Sequence, residues 1–246
     1  VAINPIIVVS LSVAPEQHAA FTEFYHHQFL PAMLKEAPEI VTIKRFEELG
    51  GGGSVRLYNK QTITIYELKQ DYDLAKADEL FARESLKEIV ETFGTWKSKS
   101  LRNFSRIGYQ QSWASERNAS RGIFQDSGLF LFALDMKLDL SISSKIQMKA
   151  PADQAFQTWY ETEYLPLQIA DTPGWTGVRR FASVGREQPR TLTFFEAADE
   201  DGVTRCLKDL RAAHRINQNY EWQKRVEEGS TWHESISLRE IYRRPG

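Results

Sequence analysis

Only one cysteine, Cys206, occurs in the 246 residues, so no internal disulfide can staple the fold. A lone thiol suits a reducing compartment, and a cytoplasmic location is expected. Cys206 sits among charged residues without an evident His-Asn partnership, which argues against a nucleophile. No apolar run approaches the roughly 20 residues that cross a bilayer, and the longest candidate, Ile6–Val13, has the length of a strand. Charge of one sign is also missing: 31 Lys and Arg stand against 33 Asp and Glu, for a net charge of −2. That excludes a nucleic-acid footprint built on bulk charge, so neither nucleic acid nor membrane is an expected partner. Metal-ligand spacing is absent as well. His26 and His27 are adjacent, so on a helix they point about 100° apart, and His18, His214 and His233 do not complete a set with them. No metal and no cofactor are expected. The single glycine run, Gly50–Gly53 followed by Ser54, has the composition of a flexible linker rather than of a phosphate cradle. It reads as an engineered replacement of a native loop, with a natural Gly-rich hairpin loop as the alternative.

What is present in quantity is aromatic side chain, and it is arranged twice. The stretch Phe156–Pro166 (FQTWYETEYLP) has a partner in Phe21–Pro31 (FTEFYHHQFLP). A shift of 135 residues lays Phe21 on Phe156, Phe24 on Trp159, Tyr25 on Tyr160, Phe29 on Tyr164 and Leu30-Pro31 on Leu165-Pro166. The same shift lays Lys44-Arg45-Phe46 on Arg179-Arg180-Phe181. Register kept across so many aromatic positions indicates a tandem duplication.

Each copy reads in the same order. Ile6–Val13 is a strand, and a helix follows from Pro15-Glu16 with its aromatic positions at helical spacing. Pro31 interrupts it, a continuation reaches Lys35, and Pro38 closes it. Strands follow at Ile40–Glu47 and at Gln61–Leu68, where apolar and polar residues alternate. A second helix spans Asp71–Phe93, with a broken turn over Trp96–Arg102, and Phe104–Trp113 is the fourth strand. The second copy repeats this: strand Leu129–Leu140, helix Ala152–Ala170, strands Trp175–Phe181 and Arg190–Ala197, helix Val203–Glu227, strand His233–Tyr242. The expected fold class is α+β: two ferredoxin-like β-α-β-β-α-β repeats packed as an intrachain pseudo-dimeric α+β barrel. The halves are residues 1–113 and 128–246, with a polar linker at 114–127. A four-stranded sheet with both helices on one face leaves the other bare, and packing two bare faces together covers both. Homo-oligomers of such pseudo-dimers stay open.

The pattern Trp159-Tyr160-x-x-Glu163-Tyr164-Leu165-Pro166, then Pro173-Gly174-Trp175, then Arg179-Arg180-Phe181, resembles the EthD-like branch of the dimeric α+β barrel superfamily. The resemblance covers the first half of each copy. It implies a barrel fold whose members include polyketide cyclases, lyases, decarboxylases, cofactor-free monooxygenases and haem enzymes. The family's helix histidine is replaced by Tyr164 in the second copy and by Phe29 in the first, so chemistry through that histidine does not carry over. A tyrosine there is a poor base, its ordinary pKa being about 10.

Candidate site residues follow from the repeated helix and the basic strand pair. Glu163 lies three residues after Tyr160 and four after Trp159, so the three are expected to share a face, with Glu163 and Tyr160 as an acid–base pair. The competing reading is a solvent-facing Glu163. His26 or His27 facing a cavity would add a general base in the first copy. Trp159, Tyr164, Tyr25 and Phe24 are candidate contacts for a flat apolar substrate, and Arg45 and Arg180 candidate clamps for a carboxylate or enolate. Strand alternation is expected to bury one of each basic pair and to send the other to solvent, and the competing reading of the buried guanidinium is an inter-sheet or surface ion pair with Glu67 or Glu196. The surplus of Trp96, Trp159, Trp175, Trp222 and Trp232 fits either a cavity lining or core filling. Together these residues point to a cofactor-independent enzyme of secondary metabolism. It would catalyse acid–base-assisted cyclisation, dehydration or decarboxylation of a polyketide-like or aromatic metabolite. The alternatives are a haem- or flavin-dependent or cofactor-free oxygenase of the same fold, or a non-catalytic binder.

Overall fold

In a computed structural model of the chain, the described residues are 4–49, 61–118, 122–136, 151–185, 189–217, 222–227 and 230–245. The Gly50–Ser54 run lies outside them, as do 137–140 of the expected fifth strand and the side chains of His214, Trp232 and His233.

The elements run β1 (Ile6–Val13), α1 (His18–Phe24), α2 (Leu30–Glu36), β2 (Ile40–Glu48), β3 (Gln61–Leu68), α3 (Ala77–Phe81), α4 (Lys87–Lys99) and β4 (Leu101–Ala114). They continue with β5 (Gly128–Met136), α5 (Pro151–Trp159), α6 (Leu165–Asp171), β6 (Gly177–Ser183), β7 (Thr191–Ala197), α7 (Glu200–Asn217) and β8 (Ser230–Pro245). The chain divides into two compact units. One comprises 1–111, 182–187 and 238–246, the other 112–181 and 188–237. In the first unit the strands hydrogen-bond in the order β4-β1-β3-β2-β8, and in the second β5 pairs with β7.

In the first unit, β1 and β3 pair antiparallel with Ile7 opposite Tyr66, and β2 and β3 with Arg45 opposite Thr64. The end of β8 belongs to this unit because it pairs with β2, from Thr42 opposite Pro245 to Glu48 opposite Leu238. One face of the sheet carries Ile7, Val9, Leu11, Ile43 and Tyr66 against the aromatic helix, where Phe21, Phe24, Tyr25 and Phe29 stack with Phe93 and Trp96. Emptying one such buried aromatic position costs about 3–5 kcal/mol, so this layer anchors the unit.

The helix is not α-helical throughout. Tyr25–Phe29 forms a π-turn between α1 and α2, and Leu30 N–H bonds to Tyr25 O, five residues back. Pro31 is the physical reason: it has no N–H for the α-type bond, and the ladder absorbs the loss by widening one turn. The second unit does the same at Tyr160–Tyr164, with Leu165 N–H on Tyr160 O ahead of Pro166.

The second unit pairs β5 with β7, Phe130 opposite Phe195 and Phe132 opposite Thr193. Its helix-facing layer holds Phe132, Phe156, Trp159, Tyr160, Tyr164, Trp175 and Phe195. Phe181 and Phe194 point to the opposite face and meet Phe124 there.

Three local expectations change. The second helix of the first unit breaks at Arg83, whose extended backbone (φ −62°, ψ 137°) separates α3 from the turn before α4. The break lets the Arg83 guanidinium reach the Glu36 carbonyl and Glu39 Oε1, the latter at 2.6 Å. The segment read as a linker is fastened: Asn118 is buried and donates to Glu196 Oε1 at 3.2 Å, while Arg117 donates to Trp175 O at 2.9 Å. Gly177 is required at that point, because a Cβ there would collide with the Asn118 side chain. Finally, neither member of the basic pairs goes to solvent. Lys44, Arg45, Arg179 and Arg180 are all buried, because both faces of β2 and β6 are covered along these residues.

Candidate functional site

Strand alternation places Arg45 and Lys44 on opposite faces of β2, and Arg45 takes the face that meets the aromatic helix. Its guanidinium carbon lies 5.0 Å from the Tyr25 ring centroid and 5.4 Å from that of Phe21. Aromatic faces attract a cation, more so when water is excluded, and Arg45 is 0% exposed. Arg45 Nη1 donates to His26 Nε2 at 3.0 Å. A guanidinium offers donors only, so the imidazole nitrogen must be the acceptor and His26 is held neutral with its proton on Nδ1. Burial, then the charge of Arg45, lowers the His26 pKa to about 4. Arg45 Nη2 reaches Thr62 Oγ1 at 3.4 Å. Arg45 Nε has no hydrogen-bond partner among the described residues, and neither has Tyr242 OH, on the strand position directly opposite Arg45. A buried donor left unmatched costs about 1–3 kcal/mol. The cluster reaches the surface at its His26 edge, where the imidazole packs 4.7 Å from the half-buried Tyr242 ring.

Behind the guanidinium, the hydroxyls of Tyr25 and Tyr66 stand 3.0 Å apart. Burial raises both their pKa values, so both phenols stay protonated at ordinary pH.

The second unit builds the same arrangement with one exchange. Arg180 lies 4.6 Å from the Tyr160 ring centroid, but the residue corresponding to His26 is Glu161, and Arg180 Nη1 donates to Glu161 Oε1 at 2.7 Å. Burial pushes the Tyr160 phenol up to about 12, against a smaller opposing pull from Arg180. Tyr164 is raised well above its ordinary value, by burial and then by Tyr160. The counterpart of Tyr66 is Phe195, which has no hydroxyl.

The sequence candidates therefore separate. Tyr25, His26 and Arg45 come together in one cluster, and Tyr160 with Arg180 in the other. Phe24, Trp159 and Tyr164 are buried in the aromatic layers, Phe24 packed on Trp96, Tyr164 on Trp222 and Trp159 on Tyr164. That favours core filling over cavity lining for Trp96, Trp159, Trp175 and Trp222. His27 is exposed, 3.6 Å from the Glu23 carboxylate on the outer face of the helix. Glu163 is exposed and does not share the face of Trp159 and Tyr160. The π-turn is the reason for this correction, since its extra residue per turn rotates Glu163 away from the position that α-helical spacing assigns it. Glu161 and Tyr242 were not anticipated. Glu161 was recoverable from the sequence, as it aligns with His26 in the repeat; Tyr242 depended on a long-range strand register. The buried carboxylate Glu196 meets Arg179 Nε at 3.3 Å, an ion pair of the basic strand residues with Glu196 made inside the protein.

Elsewhere in the first unit a cleft of about 570 Å³ opens between β1, β4 and the start of α3, floored by Ile7, Leu74 and Ile107. At its edge Arg106 is engaged by Asp78 at 2.6 Å and by the Phe81 ring. None of the candidate residues lines it.

Comparison with solved structures bears on the fold. An anthrone oxidase-like protein superimposes with a TM-score of 0.61 at 10% identity, over 98% of this chain and 93% of that one. A protein from Fusobacterium nucleatum, provisionally assigned as a monooxygenase, gives 0.57 at 10% identity, over 99% and 95%. A provisionally assigned chlorite dismutase gives 0.51 at 8% identity, over 98% and 96%. At these identities the likeness is one of fold. No family model matches the chain, and no curated protein matches it in sequence.

Haem enzymes are among the members that the sequence resemblance implies, and an iron ligand needs an imidazole nitrogen with a free lone pair. His26 has committed its lone pair to Arg45, His27 lies on the outer face beside Glu23, and His18 packs 3.3 Å from Glu47. His26 therefore does not fit an axial ligand, whereas His18 Nε2 is buried without a hydrogen-bond partner among the described residues. Among the described residues no group of three or more His, Cys, Asp or Glu could hold a metal ion, and no helix is long and apolar enough to cross a membrane.

Proposed function

We propose that this chain is a cofactor-independent enzyme that oxygenates a flat aromatic or polyketide-like metabolite through a substrate carbanion. The observation that carries the reading is Arg45: a fully buried guanidinium, backed by aromatic faces and held by a neutral histidine. Such a group stabilises negative charge that develops on a substrate oxygen when an adjacent C–H is lost. The positive charge lowers the substrate's own pKa, and the proton leaves to water at the His26 edge. His26 holds the guanidinium in this scheme and takes no proton, because its lone pair is occupied. The carbanion then reacts with dioxygen. For an anthrone-type methylene, one methylene and one dioxygen give one ketone carbonyl and one water. Both C–H bonds break, the carbon is oxidised by four electrons, and dioxygen is reduced to the carbonyl oxygen and the oxygen of that water.

The similarity to proteins named as a monooxygenase and as anthrone oxidase-like supports oxygenation over the cyclisation, dehydration or decarboxylation expected from the sequence. Those reactions use the same stabilised anion, and dioxygen separates them. Membership of the EthD-like branch belongs to this reading, as does descent from a tandem ferredoxin-like duplication with halves at 1–113 and 128–246. The identical placement of the two π-turns supports the duplication. The partner is a small aromatic metabolite in a cytoplasmic setting.

The test is oxygen uptake with anthrone as probe. One dioxygen consumed per anthrone, yielding anthraquinone, with an Arg45→Met loss of about 10²-fold or more, is expected. Turnover of an aromatic polyketide that proceeds equally without oxygen would return the protein to cyclase chemistry.

A further inference from the structure

We infer that each chain binds a single aromatic anion, in the first unit, and that Glu161 blocks the corresponding place in the second unit by acting as a built-in counter-ion. The inference rests on the reading of Arg45 above and adds the charge of the ligand and the number of sites.

The argument compares corresponding atoms. Arg45 and Arg180 occupy matching strand positions, both buried, both over a tyrosine of the aromatic helix. The two units differ in the charge that faces the guanidinium. In the second unit Glu161 Oε1 accepts from Arg180 Nη1 at 2.7 Å, so the cation already has a carboxylate. In the first unit the same position is His26, neutral and an acceptor. No carboxylate is ion-paired to Arg45 among the described residues; its other partners are a Thr62 hydroxyl and two aromatic rings. The groups facing Arg45 from the packed elements are Tyr25 and His26 on the helix, Thr62 and Tyr66 on β3, Tyr242 on β8 and, at longer range, Glu47. A buried cation without a counter-ion is electrostatically incomplete, and an anion from outside completes it. The Glu161 carboxylate shows which chemistry the guanidinium accepts: a planar oxyanion. Arg45 Nε and the Tyr242 hydroxyl, both without partners among the described residues, are the donors available to it. The Phe21 and Tyr25 rings, buried and stacked beside the guanidinium, make its surroundings aromatic.

Calorimetric titration of the full chain with 2-naphthoate, and with 2-naphthamide as a neutral isostere, tests this. One naphthoate per chain is expected, bound at least about 10-fold more tightly than the amide. His26→Glu places in the first unit the carboxylate that the second already has, so it keeps the fold and lowers naphthoate affinity by about 10-fold or more. Glu161→Gln removes the carboxylate opposite Arg180 and is expected to raise the stoichiometry from one to two; circular dichroism verifies that both variants are folded. Equal affinity for amide and carboxylate, two sites in the wild type, or undiminished binding in His26→Glu would each overturn the inference. Should Glu161→Gln fail to fold, the His26→Glu result and the wild-type stoichiometry decide alone. One-to-one binding of naphthoate without any oxygen uptake from anthrone would count against the oxygenase reading and leave this inference standing. Oxygen uptake with no preference for the anion would do the reverse.

Discussion

Arg45 donates to His26 across 3.0 Å, and burial of the imidazole together with this contact ties the stability of the first unit to pH. The His26 pKa is lowered to about 4, below its value of 6.5 in the unfolded chain, because burial and the adjacent guanidinium both oppose a second positive charge. Between these two pKa values the unfolded chain binds more protons than the folded one, so stability rises with pH across the window and is lost as pH falls from 6.5 to 4. The imidazole is half open to water, which screens part of the effect, so the loss is on the order of 1–2 kcal/mol. Urea unfolding of wild type and His26→Gln at about pH 6.5 and about pH 4 isolates it from the carboxylates. The variant should lose less stability over the interval by about that amount, and identical losses would show that the contact does not control the titration.

Reading the sequence located most strands and both aromatic helices, because a buried strand such as Gln61–Leu68 and a helical aromatic stripe have distinct periods. It also paired Arg45 with Arg180 through the repeat. It failed where one residue changed the geometry. The π-turn before Pro166 rotates Glu163 outward, and periodicity computed on an ideal helix cannot see that. It also failed where meaning lay in a difference between copies: the His26–Glu161 exchange was visible in the alignment of the repeat, but its consequence required knowing that each faces a buried arginine. Tyr242 opposite Arg45 depended on a pairing between residues far apart in the chain, which local pattern does not encode.

The buried hydroxyl pair of Tyr25 and Tyr66 should behave as a coupled unit. Tyr66→Phe removes one partner at 3.0 Å and leaves Tyr25 OH less satisfied, at a cost of about 1–2 kcal/mol. Tyr25→Phe/Tyr66→Phe should cost less than the sum of the single changes, since Phe195 already fills the corresponding place in the second unit without a hydroxyl. Strict additivity in chemical denaturation would show that the two hydroxyls do not depend on one another.

A fragment of residues 1–116 should self-associate. It contains β1, β2, β3 and β4, and β2 keeps β3 but loses its other partner, because its second ladder from Thr42 to Glu48 is made with Leu238–Pro245. An unpaired strand edge with buried apolar neighbours seeks another strand. Size-exclusion chromatography should find dimers or larger species, and addition of a peptide spanning 236–246 should reduce them. A fragment that stays monomeric at high concentration would mean that the lost ladder is not what keeps β2 from pairing.

Glu161 and Glu163 are two residues apart on one helix and should respond oppositely to the same chemical change. Glu163 is exposed, so Glu163→Gln should alter stability by less than about 0.5 kcal/mol. Glu161 is mostly buried and accepts a 2.7 Å charged hydrogen bond from Arg180, which is itself 1% exposed. Glu161→Gln removes the negative charge and leaves the guanidinium buried, and breaking a fully buried pair from one side costs about 3–5 kcal/mol. Because Glu161 is partly open to water and glutamine keeps an acceptor oxygen, about 1–3 kcal/mol is expected here. Replacing both partners, Arg180→Met with Glu161→Leu, removes the charge and the need for it together, so the double variant should be more stable than Glu161→Gln alone. A thermodynamic cycle over Arg180→Met and Glu161→Leu should then give a coupling energy of about 1.5–3 kcal/mol. Coupling near zero would mean that Glu161 does not neutralise Arg180, and the contrast between the two units would lose its electrostatic basis.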